Sequence, residues 1–361
     1  LDRGKLKKLN GYHVVFLVQS AMAGIGVLSL PNSLSPVGYN QWIIVLIMGV
    51  IASITLFPMV ALCLKYPEDT LFTIHKKLLG KWFGKLATFI WIIYGILGLA
   101  RVSRHYSFLA QAVLLPEKSI LLPLFLIYTV SLYIVLGGIK SVARFSIASF
   151  FLTVWLTYYS QWPLGLGNFY HLLPSFDFSF KEFINALFSG YDAMLGYGFI
   201  MIYFPYIINQ KKTFKHGLLG VWITTILYLL TSVASVVYFS KWQLINLTFP
   251  LLNLLKAIQL SFVQRIDTLL VGLWVLLVLS TMAPYLWVTK KAFDVVLGSK
   301  RNLHLYGAAS ISFFISVGPI AEKVRDILLE QVSINLGYSI LLWPLPLLVI
   351  HSIKRRKERK Q

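Results

Sequence analysis

Two glycine-containing interruptions, Ala23-Gly24-Ile25-Gly26 and Ser189-Gly190-Tyr191-Asp192, fall near the middle of the first and sixth of ten long apolar segments. A backbone embedded in lipid must satisfy its own N–H and C=O groups. A helix is therefore broken at membrane depth only where protein or a water-filled cavity takes over the freed groups. Broken helices at matching positions of two five-segment halves point to a small-molecule site between them.

The ten segments lie near 13–35, 40–64, 86–114, 119–138, 143–165, 183–208, 217–240, 266–289, 303–320 and 333–352. Each is about 20 residues, the length needed to cross ~30 Å of hydrocarbon. Only 13% of the residues are charged and 57% are hydrophobic, against about 25% charged in soluble domains. The predicted class is thus an all-α integral membrane protein, a single polytopic domain over 1–361 with a basic tail at 353–361. The segment at 13–35 carries polar and glycine residues and no small-residue cleavage pattern follows it, so it reads as a retained span and not a signal peptide. The chain opens on Leu1, not on methionine, so its true N-terminus is expected further upstream. Cys63 is the single cysteine and cannot form an internal disulfide.

A net charge of +20 would suggest nucleic acid in a soluble chain, but here the basic residues sit in short loops, as the positive-inside rule places them. With the N-terminus inside, cytoplasmic segments hold 24 of the 33 Lys and Arg: Arg3 to Lys8, Lys65 to Lys85, Lys140 and Arg144, Lys211 to Lys215, Lys290 to Arg301, and the tail from Lys354. External segments hold Lys118, Lys181, Lys241, Lys256, Arg265, Lys323 and Arg325. Both termini are expected in the cytoplasm. The longest external pieces, near 166–182 and 241–265, either lie flat on the membrane or cap the site.

Entering at His13, a helix rising ~1.5 Å per residue reaches Gly24 after ~16 Å, close to the bilayer midplane. The turn that follows offers free N–H groups, to which a carboxylate is the natural guest; alternatively Gly24 and Gly26 only permit close helix packing. The sixth span enters from the other side, and Asp192 lies ~14 Å deep by the same rise. It is the only acidic residue assigned to hydrocarbon, where a charge costs ~3 kcal/mol and needs a cavity or a partner. It either neutralises a substrate ammonium, carries a coupling proton, pairs with Arg101 or Arg104, or caps the broken helix. Arg101, Arg104 and His105 share one helical face of the third span; they face the bundle interior, or they reach the outer interface by snorkelling. Ser280 and Thr281, ahead of Pro284, offer hydroxyls that line a pocket or bond their own helix.

These residues carry a resemblance. Gly24-Ile25-Gly26 with Leu30-Pro31, and Phe188-Ser189-Gly190-Tyr191-Asp192, resemble the paired motifs of the amino acid/polyamine/organocation (APC) transporter superfamily. More narrowly, the chain resembles the permease-like B subunits of bacterial spore germinant receptors. That resemblance rests on Arg104 followed by Leu115-Pro116, on the run from Gly137 to Arg144, and on Phe204-Pro205-Tyr206 with Lys211-Lys212. It implies a LeuT/APC-like fold of five-plus-five inverted repeats with helices 1 and 6 broken. The first repeat would span about 13–165, the second about 183–320, and a last helix about 333–352. It also implies the inner membrane of the spore, receptor A and C subunits as partners, and no cofactor. Carried over, Ala23, Gly24, Ile25 and Gly26 would offer backbone to a ligand carboxylate. Phe188, Ser189 and Gly190 would offer carbonyls to its amine, and Tyr191 would pack over its side chain. Arg101, Arg104, Ser280 and Thr281 are further pocket or coupling candidates. One departure from the superfamily is that Lys140 and Arg144 lie only at the entrance of the fifth span, which argues against proton-driven transport.

Two functions remain: a sensory subunit that binds an amino acid or similar nutrient, and an ion-coupled amino acid permease working by alternating access. No nucleophile–base, nucleotide-binding or metal-ligand pattern suggests an enzyme; the seven histidines share no ligand spacing.

Overall fold

Apolar runs of this length have one stable solution in lipid, and the computed structural model, which describes residues 8–256 and 266–358, is helical throughout apart from one isolated backbone bridge between Leu9 and Ile207. The expectations on Arg3, Lys5, Lys7, Arg265, Arg359 and Lys360 lie outside the described residues. Among the described residues six helices are long and apolar enough to cross a bilayer: Ser35–Lys65, Leu71–Val113, Ile139–Leu166, Gln210–Tyr238, Thr268–Val296 and Glu322–Arg356. Leu121–Leu136 and Leu303–Val317 are shorter apolar helices. The chain is a multi-pass membrane protein. We label the helices α1 (Gly11–Met22), α2 (Gln41–Lys65), α3 (Leu71–Val113), α4 (Leu121–Leu136), α5 (Ile139–Thr153), α6 (Phe180–Tyr191), α7 (Thr213–Tyr238), α8 (Ile266–Val296) and α9 (Leu303–Val317), and the run Glu322–Arg356 is α10.

Two helices start earlier than their hydropathy suggests. α3 begins at Leu71, not near 86, because Lys76 and Lys77 stand on a first helical segment that turns at Gly80, whose φ is +83°. α10 begins at Glu322, not near 333, and passes through a π-helical stretch at Ile327–Val332. Local signals set other ends. Asn10 and His13 form a reciprocal capping box ahead of α1, as do Ser179 and Glu182 ahead of α6.

Packing inside lipid relies on close approach and polar contacts more than on hydrophobicity, since the solvent is equally apolar. α3 lies along α8, and Gly95 leaves room for Thr289 of α8 against its backbone. A buried aromatic group joins these two helices to the segment after α6. The ring centroids of Phe199 and Tyr285 are 4.5 Å apart, and Tyr94 and Tyr285 are 5.7 Å apart. Hydroxyls tie further pairs: Ser20 to Ser146 at 2.9 Å between α1 and α5, and Tyr128 to Ser312 at 2.5 Å between α4 and α9. Ile54, Phe57, Phe125, Phe151, Ile226 and Phe314 point outward and stay exposed, as a lipid-facing surface requires.

Candidate functional site

Helix α1 stops at Met22. Ala23 (φ −82°, ψ 75°) and Gly24 (φ −110°, ψ −132°) leave the helical region before a 3-10 turn at Ile25–Leu28 and a short turn at Leu30–Ser33. Helix α6 stops at Tyr191. A 3-10 turn at Asp192–Met194, extended Leu195 and Gly196 at φ +120° follow before the chain turns again at Tyr197–Phe199. The carbonyls these interruptions expose are satisfied by neighbouring side chains. The Thr281 hydroxyl of α8 lies 2.8 Å from the Ser20 carbonyl and 3.1 Å from its own Leu277 carbonyl. The Tyr228 hydroxyl of α7 lies 3.0 Å from the Met22 carbonyl and 2.9 Å from the Ala193 carbonyl, so one proton is shared between the two interruptions.

That tyrosine yields a direct test. Tyr228→Phe removes the only polar atom of a fully buried ring and leaves two carbonyls short of a donor, a loss of about 1–2 kcal/mol. The variant is expected to unfold at a lower temperature than the wild type in the same detergent; an unchanged midpoint would mean the hydroxyl contributes nothing to holding the breaks together.

Between the interruptions lies a cavity of about 390 Å³. Its walls come from Gly24, Ile25 and Gly26, from Ser189 and Asp192, from Thr281 and Tyr285 of α8, from Arg101 and His105 of α3, and from Glu330 of α10. Thr248 and Phe249 line it too. They belong to the connection after α7, which packs on the first interruption where the Asn32 amide donates to the carbonyls of Leu244 (3.0 Å) and Ile245 (2.7 Å). Of the two readings of that connection, flat or capping, the described part caps.

Charge in the cavity is organised around Arg101. Its Nη1 and Nη2 donate to Oδ1 and Oδ2 of Asp192 at 2.8 and 2.5 Å, and its Nε donates to Glu330 Oε2 at 3.0 Å. His105 Nε2 lies 3.0 Å from the other Glu330 oxygen. Such a two-pronged pair is the strong form of a charge-assisted hydrogen bond. Both Asp192 oxygens are thereby engaged, which selects the Arg101 pair among the alternatives left open for Asp192. Two of the five guanidinium N–H groups remain.

The site residues expected from the sequence separate into two groups. Gly24, Ile25, Gly26, Ser189, Asp192, Arg101 and Thr281 line the cavity. The others stand outside it. Ala23 faces a separate apolar cavity. Phe188 is exposed with its ring against Tyr338, and its carbonyl accepts the Tyr338 hydroxyl. Gly190 packs on Leu34 and Met48, and Tyr191 is buried with its hydroxyl 2.7 Å from that of Tyr197. Arg104 donates to the Ser316 carbonyl (2.7 Å) and to Glu322 (2.9 Å), with Phe108 4.5 Å away, a position clear of the cavity. Ser280 bonds its own helix at Leu277.

Glu330, which the sequence reading did not name, shares the Arg101 guanidinium with Asp192. It escapes hydropathy because it stands in a charged stretch ahead of the apolar run, and the early start of α10 carries it to Arg101. Tyr228 and Tyr285 were not singled out either, since a tyrosine within an apolar helix gives no sequence signal of what its hydroxyl meets.

Comparison with known proteins fits this geometry. The chain is 25% identical over 296 residues to spore germination protein GerQB of Bacillus cereus, covering 82% of each chain. It is 25% identical over 377 residues to spore germination protein A2 of Bacillus subtilis (strain 168), covering 97% of each. Among solved structures it is similar to MhsT in complex with L-phenylalanine, with a TM-score of 0.69 at 14% identity over 91% of this chain and 87% of that one. A Na+-coupled sialic acid symporter in a substrate-bound outward-open state gives a TM-score of 0.67 at 13% identity, over 97% and 79%. At such identities the likeness establishes the fold, that of the LeuT-type transporters. The model of the spore permease family, described as spore germination protein, matches residues 8–324, and with the LeuT-type fold and a cavity between two helix interruptions, the chain belongs to that family.

Proposed function

We propose that the protein is the nutrient-sensing membrane subunit of a spore germinant receptor, binding an amino acid or a similar small molecule between the two interruptions. The observation that carries the reading is the cavity itself: both interruptions and a fixed ion pair meet there. MhsT, similar in fold, holds L-phenylalanine, and the same class of ligand suits a cavity with fixed charges of both signs. The ligand carboxylate is assigned to the backbone of Gly24 to Gly26 and the remaining N–H groups of Arg101, and its ammonium to Ser189 and the Glu330 side.

The arrangement fits ten spans in two inverted sets of five, counting α1 and α6 with their continuations as the discontinuous members. Lysine and arginine asymmetry sets both termini in the cytoplasm. Ligand that binds one arrangement of the interruptions better than another shifts the bundle by that difference in affinity alone. Receptor A and C subunits are the proposed readers of the shift. The second reading is an ion-coupled amino acid permease, favoured by the transporter fold.

Gly26→Leu tests the site. A Cβ there would stand 3.3 Å from Ala193 Cβ across the gap between the interruptions, and the rest of a leucine side chain needs the cavity. Saturable binding of labelled amino acids by the purified chain is expected to disappear while the variant still inserts and elutes as a folded species. Wild-type binding by that variant would remove the first interruption from the mechanism.

A further inference from the structure

The last turn of a helix leaves carbonyls that no residue of that helix can reach, and where the end is buried each needs a donor from elsewhere. α9 ends at Val317, and its donors are two buried guanidinium groups. Arg325 Nε donates to the Ile315 carbonyl at 3.0 Å, and Arg325 Nη2 donates to the Gly318 carbonyl. Arg104 of α3 donates to the Ser316 carbonyl at 2.7 Å. Both cations also meet the negative end of the helix dipole.

One knot thus joins three helices. Arg325 stands in the first turns of α10, so its two contacts fix where α10 begins relative to the end of α9, and Arg104 ties that end to α3. Glu322, in the same turn, lies 2.9 Å from Arg104 but is largely exposed, and such a pair adds little. The buried contacts to backbone carry the fixation.

Further along α10 comes Glu330, whose two oxygens meet Arg101 and His105. It stands in the π-helical stretch Ile327–Val332. A π-turn closes its hydrogen bonds one residue later than an α-turn, so its side chains point in other directions; such turns are rare and occur mostly as single insertions within α-helices. Here the chain is held on both sides of the insertion. Arg325 grips α9 on one side. On the other, Gly337 lies so close to the second interruption that a Cβ would stand 2.6 Å from Leu195 Cδ1, and Tyr338 donates to the Phe188 carbonyl.

We propose that Arg325 is a positioning residue of the central cavity: by gripping the end of α9 it sets the level at which α10 starts, and the π-helical stretch then presents Glu330 to Arg101 and His105. Without that grip the first turns of α10 relax to ordinary α-helix, and Glu330 turns away from Arg101. The consequence for ligand rests on the reading of the cavity as a nutrient site; the placement of Glu330 does not.

Thermal unfolding of the full chain in one detergent tests the assignment, with Glu330→Ala introduced into the wild type, into Arg325→Met and into Arg325→Lys. In the wild type, Glu330→Ala is expected to lower the midpoint by about 2–4 °C. In the Arg325→Met background the same change is expected to cost less than about 1 °C, because Glu330 no longer meets Arg101. An arginine that only stabilised the end of α9 would lower every midpoint and leave the cost of Glu330→Ala unchanged, and that result would overturn the proposal. Arg325→Lys is the gentler variant and decides the matter where Arg325→Met is not recovered folded. It keeps the positive charge at the helix end but cannot offer two nitrogens of one planar fork to two carbonyls, so it should reduce the cost of Glu330→Ala at least about twofold. An undiminished cost in that background would equally overturn the proposal. Lys323→Met, at an exposed position of the same turn, should leave the cost at its wild-type value; an equal reduction there would show that loss of any charge in the first turn suffices, and would overturn the role given to Arg325. No ligand enters these measurements, so a wild-type chain that binds no amino acid would overturn the sensing reading alone.

Discussion

Arg101→Met is expected to lower the stability of the chain by about 3 kcal/mol, within the range for breaking a buried pair on one side only, and to abolish the ligand response. The guanidinium meets Asp192 with two nitrogens and Glu330 with a third. Without it Asp192 loses its ion-pair partner and Glu330 keeps only His105. Asp192→Leu alone strands the cation in the same way, although Glu330 still holds one side of it. The double variant Arg101→Met with Asp192→Leu removes both charges and fills the gap with apolar atoms, so it should recover most of the stability lost by either single change. It should not recover the response, because the ligand then meets no fixed charge at the second interruption. Thermal unfolding of the four proteins in one detergent gives the coupling directly. Additive losses would show that the pair contributes nothing beyond its separate residues.

Gly196→Ala is the other large expected effect. The residue sits at φ +120°, where a Cβ is strained, and that Cβ would overlap the Ala21 carbonyl oxygen of α1. Strain of about 1–3 kcal/mol adds to an overlap between two backbones, neither of which can rotate away as a side chain can. The variant is expected to be retained poorly in the membrane and to unfold well below the wild type. Gly80→Ala is the control: it also has positive φ, +83°, but nothing lies within 4 Å of its Cβ, so only the backbone term applies. Should the two variants unfold together, contact between Gly196 and α1 is not what holds the second interruption in place.

Much of this was legible in the sequence for a physical reason. A glycine pair in the middle of an apolar run has few uses in lipid, and Gly24 and Gly26 stand where α1 gives way to a 3-10 turn; Gly190, by contrast, lies inside α6, and the backbone leaves the helical region only at Leu195 and Gly196, beyond the expected motif. Asp192 announced a partner because an unpaired carboxylate at that depth is expensive, and Arg101 was one of the two cations named. What the sequence withheld were the partners brought by distant chain. Glu330 is far from Asp192 along the chain, and its depth depends on where α10 starts, which hydropathy misplaced because charged residues occupy its first turns. Tyr228 bridges two carbonyls that only the fold places within reach of one hydroxyl. Gly190, Phe188 and Tyr191 show the converse limit. Their place in a motif was clear, but the side of the helix on which each falls is set by the packing of Leu34, Met48 and Tyr338.

The sensing claim meets its most direct test in proteoliposomes that hold this chain alone. A panel of radiolabelled amino acids is offered, and saturable binding and internal accumulation are measured in parallel. The account predicts saturable binding of at least one of them without accumulation, because the response is relayed to partner subunits and not completed as a transport cycle. Saturable accumulation that stops when an ion gradient is collapsed would contradict it and make the protein a secondary transporter.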